Sequence, residues 1–176
     1  MDWKRELVIA HLVKQKLAQV DVDHLWENTL PEVAASKEQL ESLERRIGYS
    51  LHPMHREFLL HANGWRAFKS QIDVLSVEDL IDGDRAVRVL DLIESLEPLV
   101  NICGLQKNDL MPIAVSSSDI DVFMIAGPHT EVAGKVFWFA GGLVDTFENF
   151  DEWFLAMVEY IKEDYRIIAG NNVVDG

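Results

Sequence analysis

Hydrophobic residues change their spacing partway along this chain, and that change limits the possible folds more than any other feature. Trp3, Leu7, Ala10, Val13 and Leu17 recur at intervals of three and four, which predicts one helix over about Trp3 to Val20. The same period returns in Leu40, Leu43 and Ile47, and again near the end in Phe150, Phe154, Met157, Val158 and Ile161. Between residues 111 and 147 the pattern becomes short runs of β-branched and aromatic residues broken by turn formers. Helices first, strands later and a closing helix predict an α+β fold: an antiparallel β-sheet flanked by several α-helices.

Local signals sharpen these elements. Ser36 with Gln39 three residues on predicts a capping box, and Gly48 is the residue type that ends a helix in the left-handed conformation. After an extended Tyr49-Ser50-Leu51, Pro53 suits the first turn of a helix lined by Phe58, Leu59 and Ala62 and stopped at Asn63-Gly64. Ile72 to Leu75 reads as a short strand, and Ser76 with Asp79 caps a one- or two-turn helix, Val77 to Ile81. Val87, Leu90, Ile93 and Leu96 make Arg85 to Leu99 helical, or alternatively an insertion laid over the sheet. Strands are expected over Met111 to Val115, Ile120 to Ala126 and Lys135 to Phe139. The last turns at Gly141-Gly142 into Leu143 to Phe147. Asn149 and Glu152 suggest a box for the last helix.

A length of 176 residues fits one domain, large enough to bury about 70% of its unfolded surface without staples. The expected divisions are an N-terminal helical extension (1–35) packed on the domain, the domain itself (36–168) and a frayed tail (169–176). Cys103 is the one cysteine, so no intrachain disulfide forms. No apolar run reaches the roughly 20 residues of a membrane span, and Met1 to Glu6 does not begin a signal peptide. A cytoplasmic location is expected.

Net charge is −14, unevenly spread: residues 1–71 balance ten acids with ten bases, whereas 72–99 and 141–176 each hold eight acids and two bases. Such a field repels phosphate backbones and anionic lipids and speeds encounter with a basic partner. Nucleic acid and membranes are therefore not expected as partners.

A search for reactive chemistry yields little. His55 and His61 lie about 240° apart around one helix and cannot face one ion, and His52 completes no metal motif. Ser116-Ser117-Ser118-Asp119 lacks a nucleophile turn. Asp79, Asp82 and Asp84 around Gly83 lack the ligand order of a calcium loop. Phosphate-cradling glycine motifs are missing. No catalytic residue, metal or cofactor is expected, and the chain reads as a binding protein with no enzymatic activity.

One stretch resembles a known family. Residues 38–65, EQLESLERRIGYSLHPMHREFLLHANGW, are similar to the N-terminal signature of the SUKH superfamily. Leu51 and Pro53 stand at its Leu-Pro step, Phe58-Leu59-Leu60 at its "FLL" and Asn63-Gly64 at its "NG". His55 occupies a position where an aromatic is common. Val74 to Leu80, Met111 to Ala114, Val136 to Phe139 and Phe150 to Phe154 resemble later family segments in order, so the likeness covers about residues 36–164. Ser116 to Asp121 departs from the family's Gly-Asp-rich turn.

The superfamily includes a regulator of cell-wall synthesis and many bacterial immunity proteins that neutralise polymorphic toxins, often nucleases. The resemblance thus implies a protein partner, a basic toxin domain, met by an acidic sheet face or edge. Candidate contacts are Asp73, Asp79, Asp82, Asp84, Asp119, Asp121 and Asp145, with Trp65 and Trp138 as aromatic anchors. The alternatives are a regulatory scaffold that binds a peptide, as in the cell-wall regulator, and a small-molecule enzyme built around His52, His55 and His61.

Overall fold

The computed structural model describes residues 1–174. Among them are α1 (Trp3–Val20), α2 (Lys37–Ile47), α3 (Pro53–Leu59), β1 (Trp65–Lys69), β2 (Ile72–Val74), α4 (Val77–Asp82), α5 (Asp84–Glu94), α6 (Leu99–Cys103), β3 (Leu110–Ser116), β4 (Val122–Ala126), β5 (Val136–Phe139), β6 (Leu143–Phe147) and α7 (Phe150–Val174). The strands form one antiparallel meander in the order β1-β2-β3-β4-β5-β6. The architecture is α+β. The frayed tail expected at 169–176 lies partly outside the described residues; within them α7 continues to Val174.

Helices cover both faces of the sheet. On one side α1, α2, α3 and α7 bury Trp65, Phe68, Ile113, Phe123, Ile125 and Val136. Trp3 of α1 joins the helices there: its ring meets Phe58 and Phe154 edge-on at 5.1 Å each, with Phe150 at 5.9 Å. On the other side α5 and α6 lay Val89, Ile93 and Leu99 over Val115, Val122, Met124, Phe137 and Phe139. β4 is consequently buried at all five positions. Burial on both faces produces such a continuous apolar run, which is more usual in parallel sheets.

Two of the three expected capping boxes form. Ser36 and Gln39 bond reciprocally, as do Ser76 and Asp79, and Gly48 ends α2 at φ +83°. Helix α3 ends at Leu59, short of the expected stop at Asn63-Gly64, and those two residues lie in the turn that leads into β1. The Asn63 Oδ1 accepts the Val77 N–H at 2.9 Å and its Nδ2 donates to Glu78 at 2.7 Å, tying that turn to the start of α4. At Gly64, φ is +92° and a Cβ would stand 2.8 Å from the Val74 carbonyl oxygen, so only glycine passes so close to β2.

Several expectations need correction. β1 was not foreseen. Of the stripe expected on α5, Ile93 is buried and Val89 joins it, whereas Val87 and Leu90 are exposed. The helix also ends at Glu94, and α6 begins after Pro98. The region is both helical and laid over the sheet. At α7, Asn149 accepts the Glu152 N–H at 3.0 Å, but the Glu152 carboxylate accepts from Glu148, so the box closes on a different residue. The N-terminal extension is helical only through Val20; residues 21–35 form an arm without regular structure.

That arm closes one margin of the sheet. Trp26 Nε1 donates to Ser70 Oγ at 3.0 Å, the Thr29 hydroxyl donates to the Arg66 carbonyl, and the Glu32 N–H donates to the Gly64 carbonyl. Lys14, buried on the inner face of α1, donates from Nζ to the carbonyls of Ala67, Phe68 and Glu27, and so pins strand, helix and arm together. Burial pushes this amine down to about 8, against the attraction of Glu27.

Candidate protein-binding surface

β1 breaks register between Trp65 and Lys69, with Ala67 at φ +45°. The bulge frees the Ala67 N–H, which donates to Asp73 Oδ1 at 2.7 Å. The other Asp73 oxygen accepts from Arg85 Nε at 2.7 Å, and Arg85 also donates to Asp79 at 2.8 Å. Asp79 completes its set with the Ser76 N–H and hydroxyl. Asp73 and Asp79 are thus committed internally. Asp84, in the first turn of α5, shares their recess of about 450 Å³ with Arg66, Arg85 and Arg88. Three carboxylates face three guanidinium groups, and the recess presents little net charge. Asp82 stands outside it, paired with Arg46.

The second group differs. The loop from Ser116 to Asp121 is held by Arg88, whose Nε and terminal nitrogen donate to the carbonyls of Ser116 and Asp119 at 2.8 and 2.7 Å. The Ser116 hydroxyl accepts the N–H of Asp119 at 2.9 Å, so it serves the turn. Because Arg88 binds carbonyl oxygens, it leaves the loop carboxylates without a cation. Asp121 accepts the Trp138 Nε1–H at 2.7 Å. Trp138 itself is half-buried, stacked on Phe123 at 5.2 Å and meeting Tyr160 edge-on at 6.2 Å.

Asp119, Asp121 and Trp138 line one recess of about 440 Å³, together with Leu25, Trp26, Lys69 and Tyr160. The charge on Lys69 is spent on Asp164 at 3.5 Å. Asp145 is the cross-strand partner of Trp138. Paired residues project to one face, so its exposed carboxylate extends the rim of this recess. None of Asp119, Asp121 and Asp145 forms an ion pair among the described residues.

The nine candidate residues therefore divide. Asp119, Asp121, Asp145 and Trp138 come together; Asp73, Asp79 and Asp84 form a compensated cluster; Asp82 stands apart. Trp65 is not an anchor. It is fully buried against Phe68 at 5.0 Å, with Nε1 on the Thr29 carbonyl, because the unforeseen β1 turns it into the core. Trp26, Tyr160 and Arg88 were missed. Trp26 belongs to an arm with no periodicity to place it, and Tyr160 flanks the inward stripe of α7, where its neighbours Met157 and Ile161 were the visible signal.

The histidines are scattered in role. His55 is fully buried, stacked on Phe150 at 4.9 Å, and neither ring nitrogen has a hydrogen-bond partner in the structure. It fills an aromatic's place in the core and is not a surface or capping residue. His61 turns Nδ1 to the Glu57 carbonyl at 2.9 Å. Among the described residues no group of three His, Cys, Asp or Glu is placed to hold a metal ion, and no helix is long and apolar enough to cross a membrane.

Comparison with family models matches residues 34–156 to the SMI1/KNR4 family (SUKH-1). No individually curated protein matches the chain. The matched stretch runs from the residues just before α2 into the first turns of α7 and contains the whole sheet, the loop at Ser116 to Asp121 and both capping boxes. It excludes α1 and most of the arm. The chain belongs to the SMI1/KNR4 family (SUKH-1), whose domains generally act by binding other proteins.

Proposed function

We propose that this chain is a cytoplasmic, non-enzymatic inhibitor of the immunity type, which neutralises a basic toxin domain through the recess of Asp119, Asp121, Trp138 and the adjoining Asp145. One observation carries the reading. Among the described residues these three acids form no ion pair, Arg88 being spent on backbone carbonyls and Lys69 on Asp164, and they gather on one face around a tryptophan whose ring is part-exposed. A partner's Lys or Arg set over Trp138 gains a cation–π contact of about 0.5–2 kcal/mol and charge-assisted bonds to the carboxylates. A nuclease presents such cations because it must grip a phosphate backbone, and a net charge of −14 draws it in quickly.

The test is co-expression with nuclease-type toxin domains, beginning with any encoded beside this gene. The unaltered chain is expected to protect cells. The triple variant Asp119→Lys, Asp121→Lys, Asp145→Lys is expected to lose protection, whereas Asp82→Lys, outside the recess, keeps it. Full protection by the triple variant, present at normal level, overturns the assignment.

A further inference from the structure

The sheet has one closed margin and one open. At β1 the arm and Lys14 occupy the carbonyls of Gly64, Arg66, Ala67 and Phe68. β6 is the last strand at the other margin, and no strand or arm pairs with its outer side among the described residues. We infer that β6 is a docking edge that takes up an extended, basic strand of the protein partner as a seventh strand of the sheet.

The backbone orientation follows from one bond. The Ala126 N–H donates to the Lys135 carbonyl at 2.9 Å, so Lys135 and, by alternation, Phe137 direct their backbone groups at β4. Val136 and Trp138 then direct theirs at β6. Their register partners Phe147 and Asp145 face back toward β5, and Val144 and Thr146 face outward. The Thr146 N–H donates at 2.7 Å to the carboxylate of its own neighbour, Asp145, rather than to another strand. Leu143 and Val144 are 41% and 50% exposed, and β6 carries no Pro or Lys to blunt it.

Charge selects the occupant. A second copy paired antiparallel about the middle of β6 would set Asp145 against Asp145 at roughly 5 Å, between two chains of net charge −14. A partner strand with Lys or Arg opposite Asp145 meets the opposite condition. Its cation would lie on the Trp138 face, about 10 Å from that residue and beside the recess of Asp119 and Asp121. The incoming cation takes the Asp145 carboxylate, and the incoming carbonyl takes the Thr146 N–H released by it. Main-chain pairing supplies the affinity and the alternate side chains supply the selection.

The inference rests on the proposed binding of a basic protein, and its test separates the two. Anisotropy is measured with the full chain and a labelled nine-residue peptide alternating Lys with Val. Three control peptides have Glu for Lys, a central Pro, or N-methyl groups on the alternate residues of one edge. The Lys-Val peptide is expected to bind. Affinity should fall at least tenfold for the Glu and Pro peptides and for peptides methylated on the pairing edge, and severalfold for Asp145→Asn. Thr146→Pro, which removes an outward N–H and no bond of the β5–β6 ladder, should match the loss. Because the methylated peptides leave the protein unaltered, the result does not depend on how that variant folds. Equal binding of all basic peptides, with loss only in Asp119→Lys, Asp121→Lys, overturns strand addition and keeps the acidic recess. Absence of binding by the Lys-Val peptide, or binding that neither backbone nor recess changes affect, overturns both. Self-association of the chain that Thr146→Pro abolishes would make the occupant a second copy and overturn the basic-strand assignment.

Discussion

Replacing His55 with Phe should stabilise this protein and flatten its response to acid. In the fold His55 is fully buried against Phe150, both ring nitrogens lack partners, and burial, with a smaller push from His52, holds its pKa at about 3. In the unfolded chain the same ring titrates near 6.5. A site that stays neutral in the fold but takes a proton when unfolded costs nothing by titration above pH 6.5, and increasingly favours the unfolded chain as pH falls from 6.5 toward 3. At pH 5 the loss is 1.5 pH units at about 1.4 kcal/mol each, roughly 2 kcal/mol. Phe cannot take the proton and leaves no buried N–H unpaired, which removes a further penalty of about 1–3 kcal/mol at neutral pH. Urea unfolding followed by tryptophan fluorescence at pH 7.5 and 5.0 measures both effects. His55→Phe should be more stable at pH 7.5, and its stability should fall by about 2 kcal/mol less than the parent's between the two pH values. Equal acid sensitivity in the two proteins would refute the buried neutral imidazole, and a variant weaker at pH 7.5 would refute the claim that its nitrogens are unsatisfied.

Two other substitutions test the framework around the site. Lys14→Met strips the donor from the carbonyls of Ala67, Phe68 and Glu27 and should lower stability by about 2–4 kcal/mol in thermal or urea unfolding at pH 7. The parent should gain about 2 kcal/mol between pH 8 and 10, because the folded amine, with its pKa near 8, releases its proton before the unfolded one; Lys14→Met should lack that rise. Arg85→Ala leaves the buried Asp73 carboxylate without its cation and should cost about 2–3 kcal/mol by the same assay, with Asp73→Asn in the same chain recovering part of the loss.

How much of this was legible in the sequence depended on where each signal lay. The helices at 36–64 were readable because cap, stripe and stop sit within a few residues of one another. β1 was not, since Ala67 at φ +45° breaks the alternation and Arg66 and Lys69 look like loop residues. The phase of α5 was legible only at Ile93, because Val87 and Leu90 are as apolar as Val89. Only packing against β3 and β4 decides between them. At the candidate site, Asp121 and Asp145 could be singled out as acids beside an aromatic strand. That Asp73 and Asp79 share Arg85 could not, because the bond crosses from β2 to α5 through the fold. The arm's Trp26 reaches the recess by lying along β1, a contact of 44 residues' separation with Ser70 that no local pattern announces.

Closing β1 with the chain's own arm has a consequence for stoichiometry. A sheet extendable at both margins can be lengthened without limit, each added molecule offering a fresh template to the next, which is the geometry of fibres. Here Lys14, Thr29 and Glu32 act as a stopper on one side, so growth can begin only at β6. Two copies that met there would leave only stopped margins outward, and a foreign strand would find one berth per molecule. If β6 is the docking edge, such a protein is a terminator of β assembly: a partner strand joins it one to one, and that contact cannot propagate into a polymer.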